Sequence, residues 1–291
     1  MRQRFLLLSS ILFMFIACKK TQEYSCQNCG KADGKLLSKV VYPDPFISGL
    51  YNVQAFYYDQ SKRCIKIETG IIDSNATAPS FSVNISYTFY YTGINKNPAY
   101  MERRTPNSFP NVPRPFYFQF DNQGKKLKDS VRIAISQNQF SERVIHINRS
   151  GNKIITTPQY VNLSMDNSNF DTLIIGNNNI NLIRSKIFKQ AGNHDYQVAE
   201  YSYDNSINPF NKINISESFL FTNSSVGYGF LGPGLTRYIG FSENNCSGYS
   251  LNGVIQTSIQ YSYDQDQYPS IAVATYQGTS YKQVAFFEYY P

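Results

Sequence analysis

The sequence predicts an all-β protein: an antiparallel meander of hairpins forming a large curved sheet, an open barrel or a sandwich. Three observations carry this reading. Apolar and polar residues alternate strictly in several stretches, a short aromatic–aspartate unit repeats, and the composition holds 24 Tyr and 21 Phe with no Trp. A period of two places one side of a strand on a core and the other toward water. Aromatic and β-branched residues pack well on a pleated surface, and Asn favours the turns between strands.

The first element is a leader. Arg2 and Arg4 precede an apolar run from Phe5 to Ile16. That run is too short to cross a bilayer, which takes about 20 apolar residues, and it has the layout of a secretory signal. Ala17-Cys18 closes it, with Phe15 where Leu is usual. This ending resembles the lipobox of bacterial lipoproteins. The resemblance implies cleavage before Cys18 and acylation of that cysteine by fatty chains such as palmitate. One chain binds a bilayer marginally, at about 0.8 kcal/mol per buried methylene, whereas several hold it stably. Residues 1–17 are therefore expected to be a signal peptide. Residues 18–35, polar and poor in apolar side chains, are expected to be a lipidated tether, and residues 36–291 a single β-rich domain.

Alternation runs through that domain. Val83, Ile85, Tyr87, Phe89 and Tyr91 interleave with polar residues, as do Val131, Ile133 and Ile135, and Ile259, Tyr261 and Tyr263. A short helix is expected just after Pro209, where the β pattern lapses. A long proline-bearing loop is expected over Asn95–Pro115, and a Gly-rich loop over Gly227–Gly234. Loops on a rigid scaffold are where ligands are to be sought.

The repeated unit reads Phe56-Tyr57-Tyr58-Asp59, Phe118-Gln119-Phe120-Asp121, Tyr201-Ser202-Tyr203-Asp204 and Tyr261-Ser262-Tyr263-Asp264. Alternate aromatics pack on one face of a strand, and the Asp side chain accepts a backbone hydrogen bond that starts a turn. Asp59, Asp121, Asp204 and Asp264 are thus expected to be structural. Their spacings of 62, 83 and 60 residues exclude a strict solenoid. The unit, with Phe241-Ser-Glu-Asn-Asn245 and the closing Phe286-Phe-Glu-Tyr-Tyr290, resembles Bacteroides-type lipoproteins of unknown function built from degenerate Tyr-Asp hairpins. Asn205 and Gln265 stand where Gly often follows the Asp. The resemblance implies an antiparallel β fold and no activity.

Candidate chemistry is sparse. His146 lies in a strand pattern and His194 in a turn, with no G-x-S-x-G elbow and no further zinc-ligand spacing. No metal or other cofactor is expected. Cys26-x-x-Cys29 falls in the tether, outside the strand-to-helix setting of a redox motif. With Cys64 and Cys246 it forms a set of four cysteines that an oxidising envelope would let pair, in any of three connectivities. Alternation with Lys66 and Glu68 places Cys64 on the polar face. Asp129-Ser130-Val131 and Asp171-Thr172-Leu173 resemble the O-glycosylation acceptor motif of the same bacterial group, which implies Ser130 and Thr172 as acceptors.

The formal charge is +7, or +5 once Arg2 and Arg4 leave with the leader. The basic pairs Arg103-Arg104 and Lys125-Lys126 sit in polar, turn-like segments and do not make a nucleic-acid surface. The expected partners are a membrane, through the lipid, and a glycan, a peptide or another envelope protein. The expected place is the bacterial cell envelope, at the outer membrane and on its periplasmic side. A non-catalytic binding or scaffold module is the first reading, and a glycan-directed hydrolase using carboxylates is the alternative. A membrane-spanning barrel is disfavoured by the short, Asn-rich strands.

Overall fold

The computed structural model describes residues 34–106, 113–134, 140–161, 170–188, 193–213 and 241–291. Cys18, Cys26, Cys29 and the Gly227–Gly234 stretch lie outside them. The described residues form sixteen strands: β1 (Leu37–Pro43), β2 (Leu50–Tyr58), β3 (Cys64–Asp73), β4 (Phe81–Tyr90), β5 (Tyr100–Arg104), β6 (Arg114–Phe120), β7 (Lys126–Ala134) and β8 (Phe140–Ser150), then β9 (Lys153–Val161), β10 (Phe170–Gly176), β11 (Asn179–Phe188), β12 (His194–Ile207), β13 (Asn244–Leu251), β14 (Val254–Tyr263), β15 (Pro269–Tyr276) and β16 (Lys282–Tyr289). Each pairs antiparallel with its sequence neighbours, and β1 pairs with β16, so the meander closes into a barrel. Closure decides among the three sheet forms the sequence left open.

Directly opposed residues in an antiparallel sheet share a face, which lets register assign the two walls. Every strand contributes to one apolar cluster, from Val40, Phe56, Ile67 and Tyr87 round to Ile259, Ala272, Ala285 and Phe287. A single cluster shared by all sixteen strands lies in the lumen. Phe210, from the connection between β12 and β13, reaches into it and stacks against Phe56 at 6.1 Å and Phe287 at 6.2 Å. Ile213 is buried with it. Phe210 and Ile213 thereby occupy part of the lumen at one end, within a barrel whose strand number can enclose a channel.

The outer wall is mixed: Val41, Val53, Ile271, Val273, Val284 and Phe286 share it by register, beside a set of charged and hydroxyl-bearing side chains. Lys39 pairs with Glu288 at 2.9 Å, Lys66 with Glu68, and Arg104 with Glu102 at 3.3 Å. Tyr57 donates to Glu68 and Tyr90 to Glu102, and His146 meets Gln159. A lipid-facing wall would carry a continuous apolar band about 25 Å tall. Here the apolar patch covers the outer face of β15, β16, β1 and β2, while Glu102, Lys128, Glu142, Arg184 and Glu200 stand on the outer face of other strands.

Three expectations are corrected. The Asn95–Pro115 loop contains β5 and the start of β6, whose alternation is hidden because inward Met101 and Arg103 sit among outward Tyr100, Glu102 and Arg104. Residues 209–212 form turns and no helix, held by Asn211 N–H to the Asn208 carbonyl and by the Asn208 side chain. Cys64 is fully buried, not on the polar face. A bulge offsets the register between Tyr57 and Tyr58, so that Tyr57 opposes Lys66 while Tyr58 opposes Cys64. The extra residue turns the thiol inward.

Another bulge lies between Thr69 and Gly70. A Cβ on Gly70 would stand 2.0 Å from the Ser82 carbonyl oxygen and 2.9 Å from the Phe81 ring. Only glycine lets β4 approach β3 this closely.

Candidate ligand-binding site

The connections from even-numbered to odd-numbered strands all lie at one rim, together with the start of β1 and the end of β16. The repeated aspartates build this rim. Asp59 Oδ1 accepts the N–H groups of Ser61 and Arg63, both at 2.9 Å. Asp121 Oδ1 accepts those of Gln123 and Lys125, and Asp264 Oδ1 those of Asp266 and Tyr268. In each loop the fourth residue is left-handed: Lys62, Gly124 and Gln267. Asp204 differs. It lies within β12, where Oδ1 accepts from Ser206 and Asn245, and Oδ2 accepts the Tyr263 hydroxyl of the next repeat. Burial first, and this bond second, push the Tyr263 phenol up to about 12.

Tyrosines add a second set of ties. Tyr58, Tyr91, Tyr203, Tyr261 and Tyr289 each donate to a main-chain carbonyl at the start of the preceding strand: Leu37, Cys64, Ile180, Cys246 and Pro269, at 2.7–3.0 Å. A phenol both fills the lumen and reaches a strand end with a hydroxyl. That double role accounts for a chain rich in Tyr and lacking Trp.

The described chain enters at this rim. Lys35 Nζ lies 2.7 Å from both Asp264 Oδ2 and Asp266 Oδ2. These carboxylates hold the ammonium above its ordinary value. Burial opposes ionisation of Asp264, but Lys35 and the two loop N–H groups outweigh it and keep the carboxyl low.

Between the rim turns is a cavity of about 520 Å³. Two tight hairpins frame it: Gly151-Asn152 between β8 and β9, and Asn177-Asn178 between β10 and β11, the latter with φ of 50° and 59°. Left-handed Asn pairs suit two-residue turns, whose twist matches the strands they join. The β12–β13 connection supplies Asn211, Phe241 and Glu243 as the third side. Lys125, Arg149 and Lys153 bring three cations against the single carboxylate of Glu243. Asparagine amides donate and accept, and Ile154, Ile175 and Phe241 add an apolar floor. The volume is within the range of small-ligand sites. Sequence reading missed this cavity because its residues come from four separate turns.

The other candidates are dispersed. His146 is on the outer wall and His194 opens β12. Cys64 and Cys246 are free, enclosed thiols. Burial pushes the Cys64 thiol up, and pushes Cys246 to about 12, so neither is a nucleophile near neutrality. Ser130 and Thr172 are half-buried, on the outer wall of β7 and β10. Glu68, Glu102 and Glu200 are tied to a basic or hydroxyl partner. The cavity has one carboxylate among its described lining residues, so no acid pair for glycoside hydrolysis faces it.

No family model matches the sequence, and no curated protein matches it. The barrel is similar to two solved structures. A porin-like protein from Bacteroides vulgatus superposes with a TM-score of 0.53 at 13% identity, over 89% of this chain and 100% of that one. A porin-like protein from Bacteroides uniformis gives 0.54 at 10% identity, over 87% and 97%. At such identities the likeness is one of fold.

Proposed function

We propose that this protein is a non-catalytic binding module of the bacterial cell envelope, held at the outer membrane by acyl chains on Cys18. In this reading it takes an acidic, hydroxyl-rich ligand, such as an acidic oligosaccharide, in the rim cavity. The observation that carries the reading is the rim cavity itself, where Lys125, Arg149 and Lys153 and several Asn amides meet the one carboxylate of Glu243. Aromatic and aliphatic side chains of every strand line the lumen, so the polar binding groups gather at the rim. The porin-like neighbours come from Bacteroides, which agrees with an envelope setting. About 15 residues separate Cys18 from the rim, and a chain of that length spans at most about 50 Å.

Two measurements test this. Cys18→Ser should move the protein from the detergent phase to the aqueous phase, and unchanged partitioning would remove the anchor. Calorimetric titration of acidic and neutral oligosaccharides should show binding of the acidic set alone, weakened at least about tenfold by Lys153→Ala. Turnover of a glycan that vanishes with Glu243→Gln in a folded protein would replace the binding reading with a hydrolytic one.

A further inference from the structure

At the opposite rim the inner wall changes character. Tyr87 of β4 is a core residue, and its phenol is hydrogen-bonded to Arg103 of β5. Register places Arg103 directly opposite Tyr87 on one side and Arg114 of β6 on the other, so all three share the inner face. Phe116 and Val131, both core residues, lead in the same way to Arg143 of β8. Opposed residues in an antiparallel pair are about 5 Å apart at Cα. Arg143 lies two strands from Arg114, roughly 10 Å at strand spacing, and one inner-face step along. Three arginines thus converge on one sector of the lumen wall.

Two features of this cluster are costly unless something compensates them. Like charges directly opposed across a sheet repel, as Arg103 and Arg114 must. Arg143 Nε is buried with no hydrogen-bond partner, and an orphaned buried donor carries a desolvation penalty that native structures rarely leave unrelieved. No acid stands directly opposite Arg103 or Arg143 in the strand register. Asp129, one inner-face step from the residue opposite Arg143, is held by Lys126 through Oδ2 in a fully buried pair at 2.8 Å and leaves Oδ1 unpaired, and Asp171 of β10 stands two strands beyond Arg143, level with Ile147.

We propose that Arg103, Arg114 and Arg143 form an anion-binding site at the inner wall of this rim, selective for a tetrahedral oxyanion: a sulfate or phosphate group. Guanidinium forks offer paired donors that match oxyanion edges, and three of them surround such a group better than a planar carboxylate. Occupancy would neutralise the opposed pair and satisfy the Arg143 Nε–H. The site is separate from the cavity at the other rim and stands whether or not that cavity binds an oligosaccharide.

The test uses the purified full chain in detergent, titrated with sodium sulfate or phosphate at constant ionic strength against chloride. Saturable binding and an anion-dependent rise in melting temperature are expected. Arg114→Gln and Arg143→Gln should each weaken binding at least about tenfold, and Arg114→Gln should melt at or above the wild type when no oxyanion is present. Lys128→Gln, on the outer wall, should bind as the wild type does. A sulfated oligosaccharide added in parallel separates the sources: tighter binding than inorganic sulfate identifies a glycan-borne group, and equal binding a free anion. Arg114 is exposed, so Arg114→Gln carries the comparison if Arg143→Gln does not fold. Absence of saturable binding, or the same thermal shift in Arg114→Gln as in wild type, would overturn the site.

Discussion

At the residue scale, the barrel depends on side chains that satisfy turn backbones. Asp264 closes its loop with two N–H bonds and pins the incoming chain through Lys35. Asp264→Ala should cost about 0.5–2 kcal/mol, by comparison with other side-chain caps, read as a lower midpoint in urea. The pH dependence follows from the two shifts. Asp264 titrates below its unfolded value, so its contribution is present above about pH 4 and is lost as pH falls through the lowered value. Lys35 titrates above 10.5, so its contribution is present below that pH and is lost as pH rises through the raised value. The tie should hold between roughly pH 5 and 9. Lys35→Ala should flatten the acid side of the stability curve, and an unchanged acid limb would show that the tie is idle.

At the element scale, five phenols each tie the end of one strand to the start of the strand before it. Tyr203→Phe keeps the ring and orphans the Ile180 carbonyl, which the hydroxyl meets at 2.7 Å. A loss of about 1 kcal/mol is expected, together with faster hydrogen exchange at the start of β11. Tyr196→Phe, at an exposed position, should change neither. This scale also shows what the sequence disclosed. Strands such as β4 and β14 were legible because polar residues separate their apolar ones cleanly. Three of the four repeated aspartates sit in near-identical loops, which one local pattern captures. β5 was hidden because Arg103 occupies an inward position, so the apolar period breaks where the wall turns basic. Cys64 was misplaced because a bulge shifts alternation by one residue, and bulges leave no mark in a binary pattern. The rim cavity and the arginine cluster each draw on several successive hairpins, so only the strand register brings their residues together.

At the scale of the whole molecule, the lumen is packed with phenols. Burial is the first cause raising Tyr58, Tyr91, Tyr203 and Tyr289, and it takes Tyr42 and Tyr276 to about 12. An acid whose folded value is raised favours the folded state fully below its unfolded value and loses that contribution as pH rises. The barrel should therefore hold to about pH 10 and unfold cooperatively above it. Absorbance near 295 nm should report phenolate formation in step with the loss of circular dichroism. Gradual titration of all tyrosines, without a cooperative step, would contradict a sealed lumen.

The seam between β1 and β16 also governs how the barrel can assemble. Fifteen of its strand pairings join sequence neighbours and can zip as successive hairpins, whereas the Lys39–Glu288 contact spans 249 residues. Loop-closure entropy grows only slowly with length, so the seam is cheap in equilibrium terms. Its cost is kinetic, since distant pairing waits on everything between. A chain delivered from its N-terminus must hold β1 as an open edge until Phe286 and Phe287 arrive. Open edges recruit other chains, and a charged residue on such an edge discourages it. Lys39 serves that interval first as a guard against foreign strands and afterwards as the ionic partner of Glu288. One side chain thus protects the nascent sheet and then helps to seal it.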